Sequence, residues 1–256
     1  MVEEQGVILI TGGSGKIGRV LVSHFLQKGW IVVATGRTQE SLKKLEQSCL
    51  GNNLDRLFSV AVDFTDTNAV SSIISFFKDC NLKPHCLINN ARSIDFLKIE
   101  EDGVVSRENF ANELIVDIVI PYELTMKLSF EFPKILTRVI NISSQYGLVA
   151  ANPALYEDYK HQSPIHYSVA KAGVIHLTRE LAVRLANQGI QVNCVAFGGI
   201  EGRVDKSFEA RYAKLSPSNR MLRNDEVIGS VDFLSSSACS GMTGHTLVVD
   251  GGWSIW

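Results

Sequence analysis

Short apolar runs alternate with helical periodicity along the whole of this 256-residue chain. Val7–Ile10 is four consecutive apolar residues, as expected of a strand buried on both faces. Ile17, Val20, Leu21, Phe25 and Leu26 then recur at helical spacing. Ile31–Ala34 is a second strand, followed by a polar helix from Gln39 to about Leu50. Leu57–Val62 predicts a third strand. Asp66–Cys80 predicts an amphipathic helix that buries Val70, Ile73, Ile74, Phe76 and Phe77. His85–Ile88, Arg138–Ile142, Gln191–Ala196 and Thr246–Val249 complete the strands. Ser106–Phe130 predicts one long helix with Pro121 as a kink point, Ile165–Asn187 another, and Asp225–Leu234 a shorter one.

Strands that alternate with helices need crossover connections. The expected fold is therefore α/β, a doubly wound parallel sheet of Rossmann type with helices on both faces. No repeat or linker interrupts it, so residues 1–256 are expected to form one domain. The stretches 147–164 and 198–223 are polar, proline-containing and irregular, and are expected to shape the substrate site.

In such a sheet, ligands bind beyond the carboxyl ends of the strands. The first strand runs into Thr11-Gly12-Gly13-Ser14-Gly15-Lys16-Ile17-Gly18, a glycine-rich turn that opens a helix. Glycine permits a tight turn and close approach to a pyrophosphate, which the free N–H groups of the helix then meet. Gly12, Gly15 and Gly18 are the candidates, with Ser14, Lys16 and Ile17 between them. The second strand ends at Thr35-Gly36-Arg37, without the acid that accepts from ribose hydroxyls in many NAD sites. A guanidinium suits a 2′-phosphate, so NADP is favoured. The alternative is a solvated surface arginine beside an NAD site. Asp63 and Phe64, Asn90 and Ala91, Ser143 and Ser144, and Ile200 follow the later strands on the same edge.

Tyr167 and Lys171 are four residues apart on one helix face. A lysine ammonium near a phenol favours the phenolate, which can then exchange a proton with a carbonyl or alcohol oxygen. Alone, such a pair is only a helix face. Composition narrows the field further. An apolar content of 45% supports a real core, and a net charge of −2 gives no general nucleic-acid surface. The five scattered cysteines form no C-x-x-C pair, so buried thiols in a reducing cytosol are expected. Met1–Gln5 is acidic and leads straight into a strand, so no signal peptide is expected, and no run is long enough for a bilayer.

Together these motifs resemble the short-chain dehydrogenase/reductase family in its classical form, over essentially the whole chain. The matches are Thr11-Gly12…Gly18, Asp63, Asn89-Asn90-Ala91, Ile142-Ser143-Ser144, Tyr167-x-x-x-Lys171, Val192-Asn193-x-Val195 and Val249-Asp250-Gly251-Gly252. The resemblance implies an oxidoreductase that transfers hydride between NADP(H), or NAD(H), and a carbonyl or alcohol. It implies Tyr167 as general acid/base and Lys171 as the group that lowers its pKa and holds the nicotinamide ribose. Ser144, rather than Ser143, would position the substrate oxygen. Asp63 would meet the adenine, Asn90 and Ala91 the adenosine side, and Ile200 the carboxamide. It also implies a homo-oligomer, expected to be a tetramer, with Trp253-Ser254-Ile255-Trp256 at a buried contact.

The chain departs from the family pattern at several places. Lys16 stands where the family has a glycine, which gives Gly12-x-x-Gly15-x-x-Gly18, and Phe197 replaces a proline. Arg92 replaces the glycine after Asn-Asn-Ala and makes the nicotinamide neighbourhood more crowded or more positive. Asp117 stands at the asparagine of the catalytic tetrad, with Asn112 a weaker register. The family role there runs through a water on the main-chain carbonyl, which aspartate retains. If the carboxylate itself is used, it needs a donor such as Lys171 or Arg92. The interval between Ser144 and Tyr167 is long and holds Asn152–Lys160. It resembles a subset linked to bacterial surface-sugar and flagellin modification. A packing or subunit-contact loop is the alternative. An epimerase or dehydratase with transient cofactor use, and a non-catalytic dinucleotide-binding regulator, are the competing functions.

Overall fold

A computed structural model describes residues 6–49, 51 and 53–256. The Met1–Gln5 stretch and the expected end of the second helix at Leu50 lie outside them. Seven parallel strands form one sheet in the order β3-β2-β1-β4-β5-β6-β7. They are β1 (Val7–Ile10), β2 (Ile31–Gly36), β3 (Leu57–Ala61), β4 (Pro84–Asn89), β5 (Arg138–Ser144), β6 (Gln191–Phe197) and β7 (Thr246–Val249).

Side chains alternate across a strand, and β1 shows what that does to an all-apolar run. Val7 and Leu9 join a core with α3 (Ala69–Asp79), α5 (Ile120–Glu131) and α7 (Ile165–Leu185). Ile8 and Ile10 join a second core with α1 (Lys16–Gln27), α2 (Gln39–Ser48) and α9 (Ile228–Ser235). Each face of the sheet is thus covered by helices, and both faces of β1 are excluded from water. Strand β1 pairs with β2 on one side and β4 on the other, so the crossovers diverge there and leave a crevice at the strand ends.

The long helix expected over Ser106–Phe130 is three segments. Ser106 caps α4 (Arg107–Leu114) by accepting from the Asn109 N–H. Ile115–Val119 is a π turn, in which the Ile120 N–H reaches back five residues to the Ile115 carbonyl. Then α5 begins, with Pro121 in its first turn. Proline has no N–H to give the carbonyl of Asp117 four residues earlier, so the ladder is interrupted beside that residue.

The irregular stretch 198–223 contains a helix that the sequence reading missed, α8 (Lys206–Leu215), and 147–164 contains the short α6 (Tyr159–Gln162). Trp253 is buried within its own chain, whereas Ile255 and Trp256 are exposed. Of the five free cysteines, Cys80 is exposed and the other four are buried. Among the described residues no helix is long and apolar enough to cross a membrane.

Candidate active site

The glycine turn after β1 is closed by contacts that forbid side chains. Gly12 has φ +63, and a Cβ there would lie 2.7 Å from the Ala91 Cα. A Cβ on Gly18 would lie 2.2 Å from the Gly12 carbonyl oxygen. The Gly15 N–H donates to that same oxygen at 2.9 Å, and Gly15 caps α1. Thr11 ties the turn to β4: its Oγ1 accepts from the Asn90 and Ala91 N–H groups at 2.9 and 3.0 Å. Asn90, expected on the adenosine side, spends its amide on the turn, donating to the carbonyls of Thr11 and Gly12.

The turn opens on a cavity of about 590 Å³. Gly12, Ser14, Gly15, Lys16 and Ile17 line it, with Asn90 and Ala91 opposite and Ile200 above. Gly18 stands behind the turn. Lys16, at the non-consensus position, starts α1 and sends its Nζ across the cavity toward Gly202, where a Cβ would lie 3.3 Å away. That ammonium is buried and has no hydrogen-bond partner. Burial first, and the Arg203 charge second, hold its pKa below the usual lysine value.

Arg37, Asp63 and Phe64 line one end of the cavity. The strand end carries no acid, but folding supplies one: Arg37 is ion-paired with Asp95, 58 residues further on. The Asp63 carboxylate accepts from the Thr65 N–H at 2.9 Å and its hydroxyl at 2.8 Å, which hold its pKa below the ordinary range.

At the other end, β5 delivers two serines with different duties. The Ser143 hydroxyl donates to the Lys171 main-chain carbonyl at 2.8 Å. The Ser144 Oγ accepts from the Tyr146 N–H at 3.2 Å, which leaves its own proton to face the cavity. Tyr167 and Lys171, one turn apart on α7, line the same wall. Lys171 Nζ lies 2.8 Å from Asp117 Oδ2, and both side chains are sealed from solvent. Asp117 stands behind Lys171, outside the cavity lining. Burial, the largest single influence, depresses the Lys171 ammonium, but the Asp117 charge and hydrogen bond, together with the charge of Tyr167, outweigh it and raise the pKa.

Sequence reasoning missed the second acid in this cluster. Glu113 is 1% exposed, one helical turn before Asp117, and neither carboxyl oxygen has a hydrogen-bond partner. Burial, then the Asp117 charge, push its carboxyl up to about 7. The signal was available as two acids at i and i+4 on a helix. Arg92 lies over the Tyr167 ring, 4.7 Å from its centroid.

The two irregular stretches form the outer wall as one unit. Arg211 of α8 donates to the Leu155 carbonyl at 2.7 Å and pairs with Glu157 at 2.8 Å. The Tyr146 and Tyr156 hydroxyls are 2.9 Å apart. Tyr212 of α8 stacks on Trp253 with centroids 4.4 Å apart. Its hydroxyl donates to the Gln145 side chain at 2.8 Å and accepts from the Gly199 N–H at 2.9 Å.

The cradle fits a dinucleotide. Gly12 and Gly15 line it, a helix begins at its floor, and a buried ammonium there has no hydrogen-bond partner. Comparison with known proteins points the same way. A family profile described as enoyl-(acyl carrier protein) reductase matches residues 13–254. Post-translational flagellin modification protein A of Campylobacter coli is 29% identical over 263 residues, spanning 98% of this chain and 99% of that protein. A 3-oxoacyl-(acyl-carrier-protein) reductase of Chlamydia pneumoniae is 29% identical, spanning 96% of this chain and 95% of that protein. A crystal structure of a short-chain dehydrogenase from Leptospira borgpetersenii with bound NAD+ is 30% identical, with a TM-score of 0.84 over 98% of this chain and 93% of that one. With the family profile covering nearly its whole length, the chain belongs to the short-chain dehydrogenase/reductase family of oxidoreductases.

Proposed function

We propose that this chain is a single-domain, NADP-dependent enzyme that interconverts the carbonyl and alcohol of a polar substrate. The observation that carries the reading is the cluster at one end of the cradle: a free Ser144 hydroxyl, Tyr167, and a Lys171 held charged by Asp117. A bound nicotinamide would supply or take up the hydride. Gly12, Gly15 and Gly18, with Ser14, Lys16 and Ile17, would hold its pyrophosphate. Arg37 would take the 2′-phosphate, exchanging Asp95 for it, and Asp63, Phe64, Asn90 and Ala91 would flank the adenosine. Ile200 would meet the carboxamide.

In the reducing direction Tyr167 gives its proton to the substrate oxygen, and Ser144 donates a hydrogen bond to the same oxygen. Lys171 stabilises the phenolate left behind. Asp117 positions Lys171 through its carboxylate. A sugar or sugar phosphate of a surface-glycan or flagellin-modification route is the substrate class favoured by the likeness to the flagellin modification protein of Campylobacter coli. The wall of Tyr146 and Tyr156 suits hydrogen bonding and stacking on a sugar. We place the enzyme in the cytoplasm as a homotetramer.

Tyr167→Phe tests the reading, because it removes the proton and keeps the ring. Turnover should fall by about 10²-fold or more while NADPH binding survives. Unchanged turnover would take Tyr167 out of the mechanism. Screening sugars for net consumption of each cofactor separates this function from an epimerase, which returns the cofactor unchanged.

A further inference from the structure

Two arginines of the cavity have no counter-ion. Arg92 sits over the Tyr167 ring, and Arg203 lines the cavity from the segment after Ile200. Neither makes a hydrogen bond or an ion pair with any described residue. The other cations of the cavity are accounted for. Arg37 has Asp95, Lys171 has Asp117, and Lys16 lies at the helix start where a pyrophosphate would be met.

The two arginines are also close enough to repel. Packing around Arg203 and the charge of Arg92 hold the Arg203 pKa below the usual arginine value, with Tyr167 opposing. Glu113 feels the Arg92 charge from a distance, but no carboxylate is ion-paired with either arginine, so the like charges destabilise the free protein and a bound anion relieves that. The surrounding wall is largely apolar, with Leu155, Phe208 and Met221 in it. Such a wall strengthens a charged contact by excluding water.

We propose that Arg92 and Arg203 form an anion subsite beside Tyr167, so that the substrate carries a carboxylate or phosphate near the carbonyl being reduced. This rests on the oxidoreductase reading and narrows its substrate class. Planar guanidinium forks match either anion through paired N–H bonds, so the anion would orient the carbonyl toward Tyr167 and Ser144. The glycine that the family carries at position 92 could supply no such contact. The subsite would therefore be a feature of this chain.

The test saturates the protein with NADP+, which fills the pyrophosphate site, and then titrates small probes calorimetrically. Acetoacetate is compared with methyl acetoacetate, and dihydroxyacetone phosphate with dihydroxyacetone. The charged member of at least one pair should bind about tenfold or more tightly than its neutral match. Which pair shows the preference identifies carboxylate or phosphate. Arg92→Gln and Arg203→Gln should each abolish the preference while leaving the NADP+ affinity within about threefold. Equal binding of charged and neutral probes, or no binding of any, overturns the subsite. So does a parallel loss of NADP+ affinity in both variants, which would make the arginines cofactor ligands. The oxidoreductase reading fails separately, if no carbonyl compound causes net NADPH consumption while the charge preference in binding persists.

Discussion

The Asp117 carboxylate lies 2.8 Å from Lys171 Nζ, and 1% and 6% of the two side chains reach solvent. The family resemblance implies a main-chain role for residue 117, through a water on its carbonyl. Pairing in a site closed to water would give the carboxylate work of its own, by offsetting the ammonium near Tyr167. Asp117→Asn removes that offset. The alkaline limb of the kcat/KM profile should move to lower pH by about a unit or more. A limb that stays in place, with activity within about tenfold of the parent, returns the role to the carbonyl.

Glu113 supplies a second pH signature. Its carboxyl is raised from an ordinary 4.5 to about 7. The folded chain keeps a proton there that the unfolded chain releases, so this group's stabilising contribution is complete below about pH 4.5 and is lost as pH rises through 7. Glu113→Gln cannot ionise and should flatten that dependence. In urea unfolding, the parent should lose about 1–3 kcal/mol more than the variant between about pH 5.5 and pH 8. Equal losses would show that Glu113 holds no proton.

On the proposed reading, cofactor choice depends on the Arg37–Asp95 pair. A charge-assisted phosphate contact contributes about 1.5–3 kcal/mol, so Arg37→Ala should weaken NADPH much more than NADH. Asp95→Asn removes the carboxylate that competes with the 2′-phosphate and should tighten NADPH. Fluorescence titration of both cofactors decides it. Equal losses in Arg37→Ala, or a parent that prefers NADH, would reverse the assignment.

Helices α5 and α7 carry Phe130 and Val183, 78% and 79% exposed, on the outer surface. Large apolar side chains in water favour association. Light scattering should give about four times the chain mass at micromolar concentration. Phe130→Asp combined with Val183→Asp should lower that mass. A parent protein that is monomeric would rule out the tetramer.

The sheet was legible because a strand buried on both faces is written as an unbroken apolar run, as at Val7–Ile10 and Ile31–Ala34. The glycine turn was legible because its close approaches allow only one residue type at Gly12 and Gly18. Contacts between distant segments were not. Nothing near Arg37 in sequence announces Asp95, and nothing in Trp253 says that it stacks on Tyr212. Helix α8 was missed for a different reason. Phe208, Tyr212 and Leu215 have helical spacing, but Pro217 and the polar residues around them suggested a loop. The π turn was half legible: Pro121 marked an interruption, but the extra residue that absorbs it depends on packing against α7.

On the proposed reading, Tyr212 joins parts of the cavity that would serve different ligands. It stands on the helix that walls the substrate side, yet its hydroxyl holds the backbone N–H of Gly199, next to Ile200 at the cofactor side. A ligand that shifts α8 therefore shifts the main chain that would grip the nicotinamide, and the reverse shift carries the same energy. Substrate and cofactor should then bind with a thermodynamic linkage, each altering the other's affinity by one common factor.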